Sequence, residues 1–260
     1  MKTVVSFSGG KDSTAMLLRL LELGEPIDEI IFADSGFEFP ELYDYIKRIE
    51  KYIGRSITIL QPQEGLFEKW FAGEITRGKY KGKIRGLPML VNPCWWTRES
   101  KLLPLQKAHK DANIVYVGIA YDERERMSKV DGKLRYPLVD WKWTEQDCID
   151  YLNKKGLFNP LYVNFGRLGC FWCPKQGEGS LFVVWKLYPG LWNEMKMMEK
   201  KNFEFTGRYL KLLPLKHYEN KFEVFGKPSC SVPRYDCERG CDSVAKAFKE
   251  KQKGLNNWFC

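Results

Sequence analysis

No stretch of this 260-residue chain approaches the roughly 18 uninterrupted apolar residues that a membrane-spanning helix requires. The apolar stretch after Lys2 is cut at Ser8 by a glycine pair, which is not the pattern of a secretory signal, so a cytoplasmic protein with no membrane partner is expected. There is no internal repeat and no low-complexity tract. Histidine is scarce: His109 and His217 stand alone, and neither is assigned a role. The G-x-x-x-x-G-K-[ST] spacing of the Walker A loop is also missing.

What is present suits a globular protein. The chain is 44% hydrophobic, enough for a sizeable core. Its 42 basic against 33 acidic residues give a formal charge of +9, which favours anionic partners such as nucleotides or nucleic acid. Basic residues gather in RGKYKGKIRG (residues 77 to 86), a segment that predicts a mobile loop rather than a core element. Eight cysteines in a chain expected to stay reduced argue against a disulfide framework and for metal binding or thiol chemistry.

The N-terminal third alternates short apolar runs with helical patterns. Thr3 to Val5 and Phe7 predict a strand, Ala15 to Leu23 a helix, Glu29 to Ala33 a strand, and Ser56 to Leu60 another. Between the last two, Pro40 opens a helix with Leu42, Tyr45, Ile46, Ile49, Tyr52 and Ile53 on one face. Ile114 to Ala120 predicts a further strand, and Thr144 a capped helix with Asp147 in the capping box and Gly156 as its stop. Alternation at this spacing implies an α/β fold: an open parallel sheet with helices on both faces. Residues 1 to 165 are expected to form this nucleotide-binding domain, and 166 to 260 a smaller Cys-rich region holding a metal or iron–sulfur site.

The first strand runs into SGGKDS, residues 8 to 13, before a helix. Such a turn aims backbone N–H groups and the positive end of a helix dipole at one point. Gly9 and Gly10 allow close backbone approach, Ser8 and Ser13 add hydroxyl donors, Lys11 adds charge, and Asp12 is placed to orient Mg²⁺ or the loop itself. In open α/β sheets ligands bind at the carboxyl ends of strands, where Asp34-Ser35-Gly36 and the YDERER segment also fall.

SGGKDS resembles the pyrophosphate loop (PP-loop) of the ATP pyrophosphatases. FADSGFEFPE, PCWWTRESKLLPL, VGIAYDERER, YPLVDWKWTEQDCIDYL and NPLYVNFGRLGCFWCP follow it in order. Together they are similar to the phosphoadenosine phosphosulfate (PAPS) reductase family over roughly residues 1 to 175. That family, within the adenine nucleotide α-hydrolases, includes sulfonucleotide reductases, the small subunit of ATP sulfurylase and DNA phosphorothioation proteins. The resemblance implies an adenine nucleotide, ATP or the sulfonucleotides PAPS or APS, with phosphates at Ser8 to Ser13 and adenosine near Asp34, Ser35, Gly36 and Gly118. Arg124 and Arg126 would face phosphate or sulfate oxygens, and with Lys11 and Asp12 they form the expected catalytic set.

Cys170 and Cys173 form a C-x-x-C that suits metal or cluster ligation. APS reductases that resemble this pattern hold a 4Fe–4S cluster through an earlier Cys-Cys pair and a later C-x-x-C. Here Cys94 stands at the first place beside Pro93 and Trp95, so three of four ligands match. One of Cys230, Cys237 and Cys241 would supply the fourth, or the three would form a zinc site; with the fourth missing, a three-cysteine cluster would leave one iron open to carry sulfur, as proposed for tRNA thiolation enzymes of similar fold. Cys148 is expected in the core. PAPS reductases of this family carry a nucleophilic cysteine in a Glu-Cys-Gly-Leu-His segment; this chain has NNWFC, where Cys260 lacks a neighbour that lowers its pKa. ATP-dependent adenylation of an acceptor for sulfur transfer is therefore expected first. Its partners would be a nucleic acid acceptor and a sulfur-donor protein such as a cysteine desulfurase. Sulfonucleotide reduction with release of sulfite stands second, and a non-catalytic nucleotide sensor third. Trp95, Trp96, Trp141 and Trp143 lie beside these motifs and are expected to rim the site and stack on bases.

Overall fold

A computed structural model describes residues 1–89, 93–127 and 132–227. The chain divides into two compact units, one of residues 1–159 with 169–171, the other of 160–168 with 172–260.

The first unit is built on a parallel sheet in the order β3-β2-β1-β4-β5. Its strands are β1 (Thr3–Phe7), β2 (Glu29–Ala33), β3 (Thr58–Leu60), β4 (Ile114–Val117) and β5 (Leu134–Arg135). The centre strand TVVSF pairs on both sides, Val5 opposite Ile30 of β2 and opposite Tyr116 of β4. Val4, Val5 and Ile31 are fully buried, as expected for apolar strands covered on both faces.

Helices α1 (Lys11–Glu22) and α2 (Pro40–Ile53) cross from β1 to β2 and from β2 to β3. The chain then passes α3 (Leu66–Phe71), α4 (Trp95–Thr97), a π-helical turn at Arg98–Leu102 and α5 (Leu103–Ala108), and returns to β4 on the other side of β1. Because right-handed crossovers in opposite directions fall on opposite faces, α1 and α2 share one face and α5 the other. Leu105 and Ala108 of α5 accordingly pack on Val4, Ile31 and Val115. The order reverses between β1 and β4, which opens a crevice beyond their carboxyl ends.

Three expectations are adjusted. The buried stripe of α2 ends at Ile49, and Tyr52 is 53% exposed, since Gly54 in a left-handed conformation stops the helix there. β4 ends at Val117 rather than Ala120, because at Gly118 the chain presses against the start of α1. The basic segment 77–86 is part of a hydrogen-bonded backbone return, with Glu74 and Ile84 bridged in antiparallel fashion. The helix α7 (Glu145–Lys154) has the expected complete capping box between Thr144 and Asp147 and Gly156 beyond its end; α6 (Pro137–Asp140) precedes it.

The second unit holds a short 3-10 turn, Pro160–Val163, and helices α8 (Glu178–Leu187), α9 (Pro189–Thr206) and α10 (Leu215–Phe225). Leu181, Val184, Trp192, Met195 and Phe222 form its core, and Phe222 meets Phe182 edge-on at 5.4 Å. The buried Glu199 accepts the N–H groups of Leu210 and Leu215, so the α9–α10 loop has its polar backbone satisfied internally. Among the described residues, no helix is long and apolar enough to cross a membrane.

Candidate functional site

SGGKDS follows β1 directly and ends in the first turn of α1, at the crevice. Gly9 has φ +70°, a conformation that favours glycine, and a Cβ there would lie 2.6 Å from Leu42 Cδ1, so that side chain would have to shift. Its carbonyl accepts from the buried Asn159 side chain at 2.9 Å. The two serine hydroxyls lie 2.9 Å apart, and Ser13 Oγ also takes the Ser8 N–H at 3.2 Å. Gly10 is the N-cap of α1 and supplies no side-chain cap, leaving the positive helix end to another acceptor.

Gly118, at the end of β4, fixes the opposite wall. A Cβ on it would stand 2.6 Å from Ser13 Cα and 2.7 Å from Ser13 N. Those are backbone atoms that cannot swing away, so the glycine permits β4 to lie against the loop.

Lys11 is only 6% exposed, a cation set into the fold rather than a loop side chain in solvent. Its ammonium reaches Glu145 Oε1 at 2.5 Å and Asp12 Oδ2 at 3.5 Å. One oxygen each of Asp12, Glu123 and Glu145 lies within 4.8 Å of the others, a spacing that suits a shared cation. Asp12 Oδ1 is buried with no hydrogen-bond partner. Burial pushes the Asp12 carboxyl up to about 6, Lys11 opposes the shift, and the charges of Glu145 and Glu123 add to it.

YDERER is a 3-10 helix, Tyr121–Arg126, pinned to the start of α7: the Tyr121 N–H donates to Trp143 O at 2.7 Å, and the Glu145 N–H donates to Asp122 Oδ1 at 3.1 Å. That docking aims Glu123 at Glu145. Arg124 lies over the Tyr121 ring at 4.6 Å, and Arg126 pairs with Glu123.

The Asp34-Ser35-Gly36 turn follows β2. Asp34 Oδ1 accepts from the Gly36 N–H at 2.8 Å and the Tyr43 hydroxyl at 2.9 Å, so that oxygen holds the turn, and Gly36 has φ +74°. Ser35 is fully buried at a junction. Trp96 Nε1 donates to its carbonyl at 3.0 Å, the Cys170 thiol to its hydroxyl oxygen at 3.3 Å, and that hydroxyl donates to Glu38 Oε1 at 2.8 Å. Lys101 completes the chain at 2.6 Å from the same Glu38 oxygen. Burial works against the Lys101 ammonium, yet Glu38 and then Cys170 hold its pKa above the ordinary range.

Cys94 caps α4, its sulfur taking the Thr97 N–H at 3.4 Å; Cys94, Cys170 and Cys173 are in no disulfide and are of intermediate exposure. Cys170 belongs to the first unit and Cys173 to the second. In that second unit the Lys211 ammonium, lowered to about 8 by burial, donates to Pro174 O at 2.6 Å and to Gln176 O, tying down the turn after Cys173. Cys230, Cys237, Cys241 and Cys260 lie outside the described residues. Cys148 is fully buried as expected.

Trp96 departs from its expected place at the rim. It is 2% exposed, set edge-on to Phe37, Phe67 and Trp95. Sequence reading missed Glu145, Glu38, Lys101 and Asn159 as site neighbours. Glu145 had one signal, its place at the first turn of a well-capped helix after a tryptophan-rich loop. The others come together only through the fold.

The phosphoadenosine phosphosulfate reductase domain matches residues 2–176. An uncharacterized protein of Methanocaldococcus jannaschii is 30% identical over 207 residues, covering 74% of this chain and 40% of that protein, so the chain spans less than half of this relative. The adenosine 5′-phosphosulfate reductase of Staphylococcus saprophyticus is 26% identical over 177 residues, 64% of this chain and 68% of the enzyme. A crystal structure of PAPS reductase from Candida auris, in complex with phosphate, aligns with a TM-score of 0.46 at 17% identity, covering 65% of this chain and 82% of that one.

Proposed function

From the premise that the chain belongs to the phosphoadenosine phosphosulfate reductase domain family, we propose that it binds ATP at Ser8 to Ser13 and transfers AMP to an acceptor oxygen, preparing that position for sulfur. The acceptor oxygen attacks the α phosphorus and pyrophosphate leaves; a sulfur donor then displaces AMP. Adenylation turns a poor leaving group into a good one.

The observation that carries this reading is the carboxylate trio beside the phosphate loop. ATP is handled as its magnesium complex, and Asp12, Glu123 and Glu145 supply hard oxygen donors at the right spacing, one with an unpartnered buried oxygen. Sulfonucleotide reduction has no such need for a divalent cation. Lys11 would exchange Glu145 for phosphate oxygens as the cation enters, a trade between two anionic partners. Adenosine would lie toward Asp34 to Gly36 and Gly118, with Arg124 and Arg126 turned to phosphate oxygens.

Cys94, Cys170 and Cys173 would fit a 4Fe–4S cluster by donor chemistry: soft, partly buried sulfurs outside any disulfide, with the Lys101 cation near Cys170 to balance negative charge. Such a cluster would supply a site for sulfur, and Cys230, Cys237 or Cys241 a fourth ligand or a separate zinc site. The partners of this reaction would be a nucleic acid acceptor and a sulfur-donor protein such as a cysteine desulfurase.

Sulfonucleotide reduction is the second reading, favoured by the similarity to an adenosine 5′-phosphosulfate reductase over 64% of the chain. One comparison separates the two. Anaerobically prepared protein incubated with Mg²⁺, ATP and candidate acceptors is expected to release pyrophosphate; sulfite release from APS or PAPS with a thiol reductant, and none of the former, would overturn the adenylation reading. Iron and sulfide analysis of the same sample tests the cluster.

A further inference from the structure

The segment RGKYKGKIRG places Arg77, Lys79, Lys81, Lys83 and Arg85 within ten residues that contain no acidic side chain. It is braced by backbone bonds: Ile75 N–H to Lys83 O at 2.9 Å, Gly82 N–H to Ile75 O at 2.8 Å, Arg85 N–H to Gly73 O at 2.8 Å and Gly86 N–H to Phe71 O at 3.0 Å. Gly78 and Gly82, at φ +78° and +81°, make the tip turns. Residues 76 to 83 are all exposed, and Tyr80 keeps 51% of its surface in solvent.

The cations divide into two kinds. Arg85 is spent on the base, its guanidinium 4.5 Å over the Trp70 ring and donating to Glu74 O. Arg77, Lys79, Lys81 and Lys83 form no ion pair among the described residues. Lys79 Nζ lies 5.9 Å over the Tyr80 ring, a contact that neutralises no charge; like charges this close repel one another, so an ordered return that presents them without counter-ions suits a polyanion.

The root of the return is joined to the site. Trp95 Nε1 donates to Gly86 O at 3.2 Å, Trp95 stacks on Trp70 at 6.1 Å, and the adjacent Trp96 holds Ser35 O in the Asp34–Gly36 turn. A single nucleotide's phosphates are already provided for by the loop at Ser8 to Ser13. Four further cations spread along a return, with an exposed aromatic among them, match a strand of phosphates and an unpaired base.

We propose that residues 73 to 86 grip a single-stranded nucleic acid, Arg77, Lys79, Lys81 and Lys83 neutralising backbone phosphates while Tyr80 stacks on a base. This rests on the adenylation reading only in naming the acceptor's class; the binding itself stands apart from catalysis.

The test uses the full chain and fluorescence anisotropy with labelled 20-nucleotide single-stranded RNA, single-stranded DNA and a duplex, over a range of KCl concentrations. Wild type is expected to prefer single strands. The triple variant Lys79→Gln/Lys81→Gln/Lys83→Gln should bind at least about tenfold more weakly, with a salt slope shallower by about two. Tyr80→Ala should weaken single-strand binding about fivefold or more and leave the duplex unaffected. Calorimetry with ATP separates this from the nucleotide site: the triple variant should keep wild-type ATP affinity, while Lys11→Gln should lose ATP and keep nucleic acid. Absence of wild-type binding at 100 mM KCl, or unchanged affinity in the triple variant, overturns the grip and leaves the ATP reading standing. Lost ATP affinity in the triple variant with nucleic acid binding intact would assign these cations to the nucleotide and overturn it equally.

Discussion

The Lys11 ammonium lies 2.5 Å from a carboxylate oxygen of Glu145, 134 residues further along the chain. The contact joins the SGGKDS loop to the N-terminus of α7, and because Lys11 is 6% exposed it is also part of the fold. Lys11→Met leaves Glu145 and Asp12 without their cation in a partly desolvated site. It is expected to lower stability by about 1–3 kcal/mol at pH 7 as well as to abolish measurable ATP binding. Urea unfolding and calorimetry on the same variant check both; wild-type stability would mean that solvent already screens the pair.

Asp12 should impose a pH dependence of a particular sign. Its carboxyl is raised from 3.8 to about 6 in the folded chain, first by burial, against the pull of Lys11. Between those values the native state holds a proton that the unfolded chain has released, so stability falls as pH rises through the window and levels off above it. Asp12→Asn is expected to flatten the urea midpoint between pH 4 and 6.5 relative to wild type. Millimolar Mg²⁺ should recover stability above pH 6 in wild type alone. Parallel slopes for the two proteins would remove Asp12 as their source.

Much of the sheet was legible because buried parallel strands must be continuously apolar: EIIFA gave β2 to the residue. The capping box of α7 was equally direct, since Thr144 and Asp147 satisfy each other's backbone within one turn. The shortening of β4 was not, because it depends on how closely Gly118 approaches Ser13, a packing distance with no local trace. The carboxylates that gather at Asp12 were hidden for the same reason: Glu145 and Glu123 lie more than a hundred residues away, on elements brought together by Asp122 and Trp143. Trp96 looked like a rim residue because it lies beside the cysteine motif PCWW, whereas its ring is buried among Phe37, Phe67 and Trp95 and its Nε1 holds Ser35 O.

Gly118→Ala is expected to be costly. The new methyl would meet Ser13 Cα at 2.6 Å and Ser13 N at 2.7 Å, so either β4 or the first turn of α1 must move. An overpacking cost of about 1–3 kcal/mol follows, and because the displaced atoms belong to the SGGKDS loop, ATP affinity under the proposed function should fall with stability. At Gly132, where a Cβ meets nothing within 4 Å, alanine is the control and should leave ATP affinity unchanged. Equal melting temperatures for the two variants would show that the β4–α1 approach is looser than these distances.

Cys148 lies close enough to Asp12 for the carboxylate to act on its thiol, which under the reductase reading makes it a candidate nucleophile beside the SGGKDS loop. Its chemistry argues against that use. The thiol is fully buried on α7, and burial first, then the charge of Asp12, pushes its pKa far above the ordinary range. A thiol that stays protonated and unexposed is neither nucleophile nor ligand. Native protein treated with a maleimide at pH 8 and mapped by mass spectrometry should carry label on Cys94 and Cys170 and none on Cys148 until urea is added. Cys148→Ala should lose about 1 kcal/mol of stability from the emptied volume and keep whatever turnover the wild type has. Loss of sulfite release in that variant, with its fold intact, would reinstate Cys148 as the attacking group and with it the reductase chemistry.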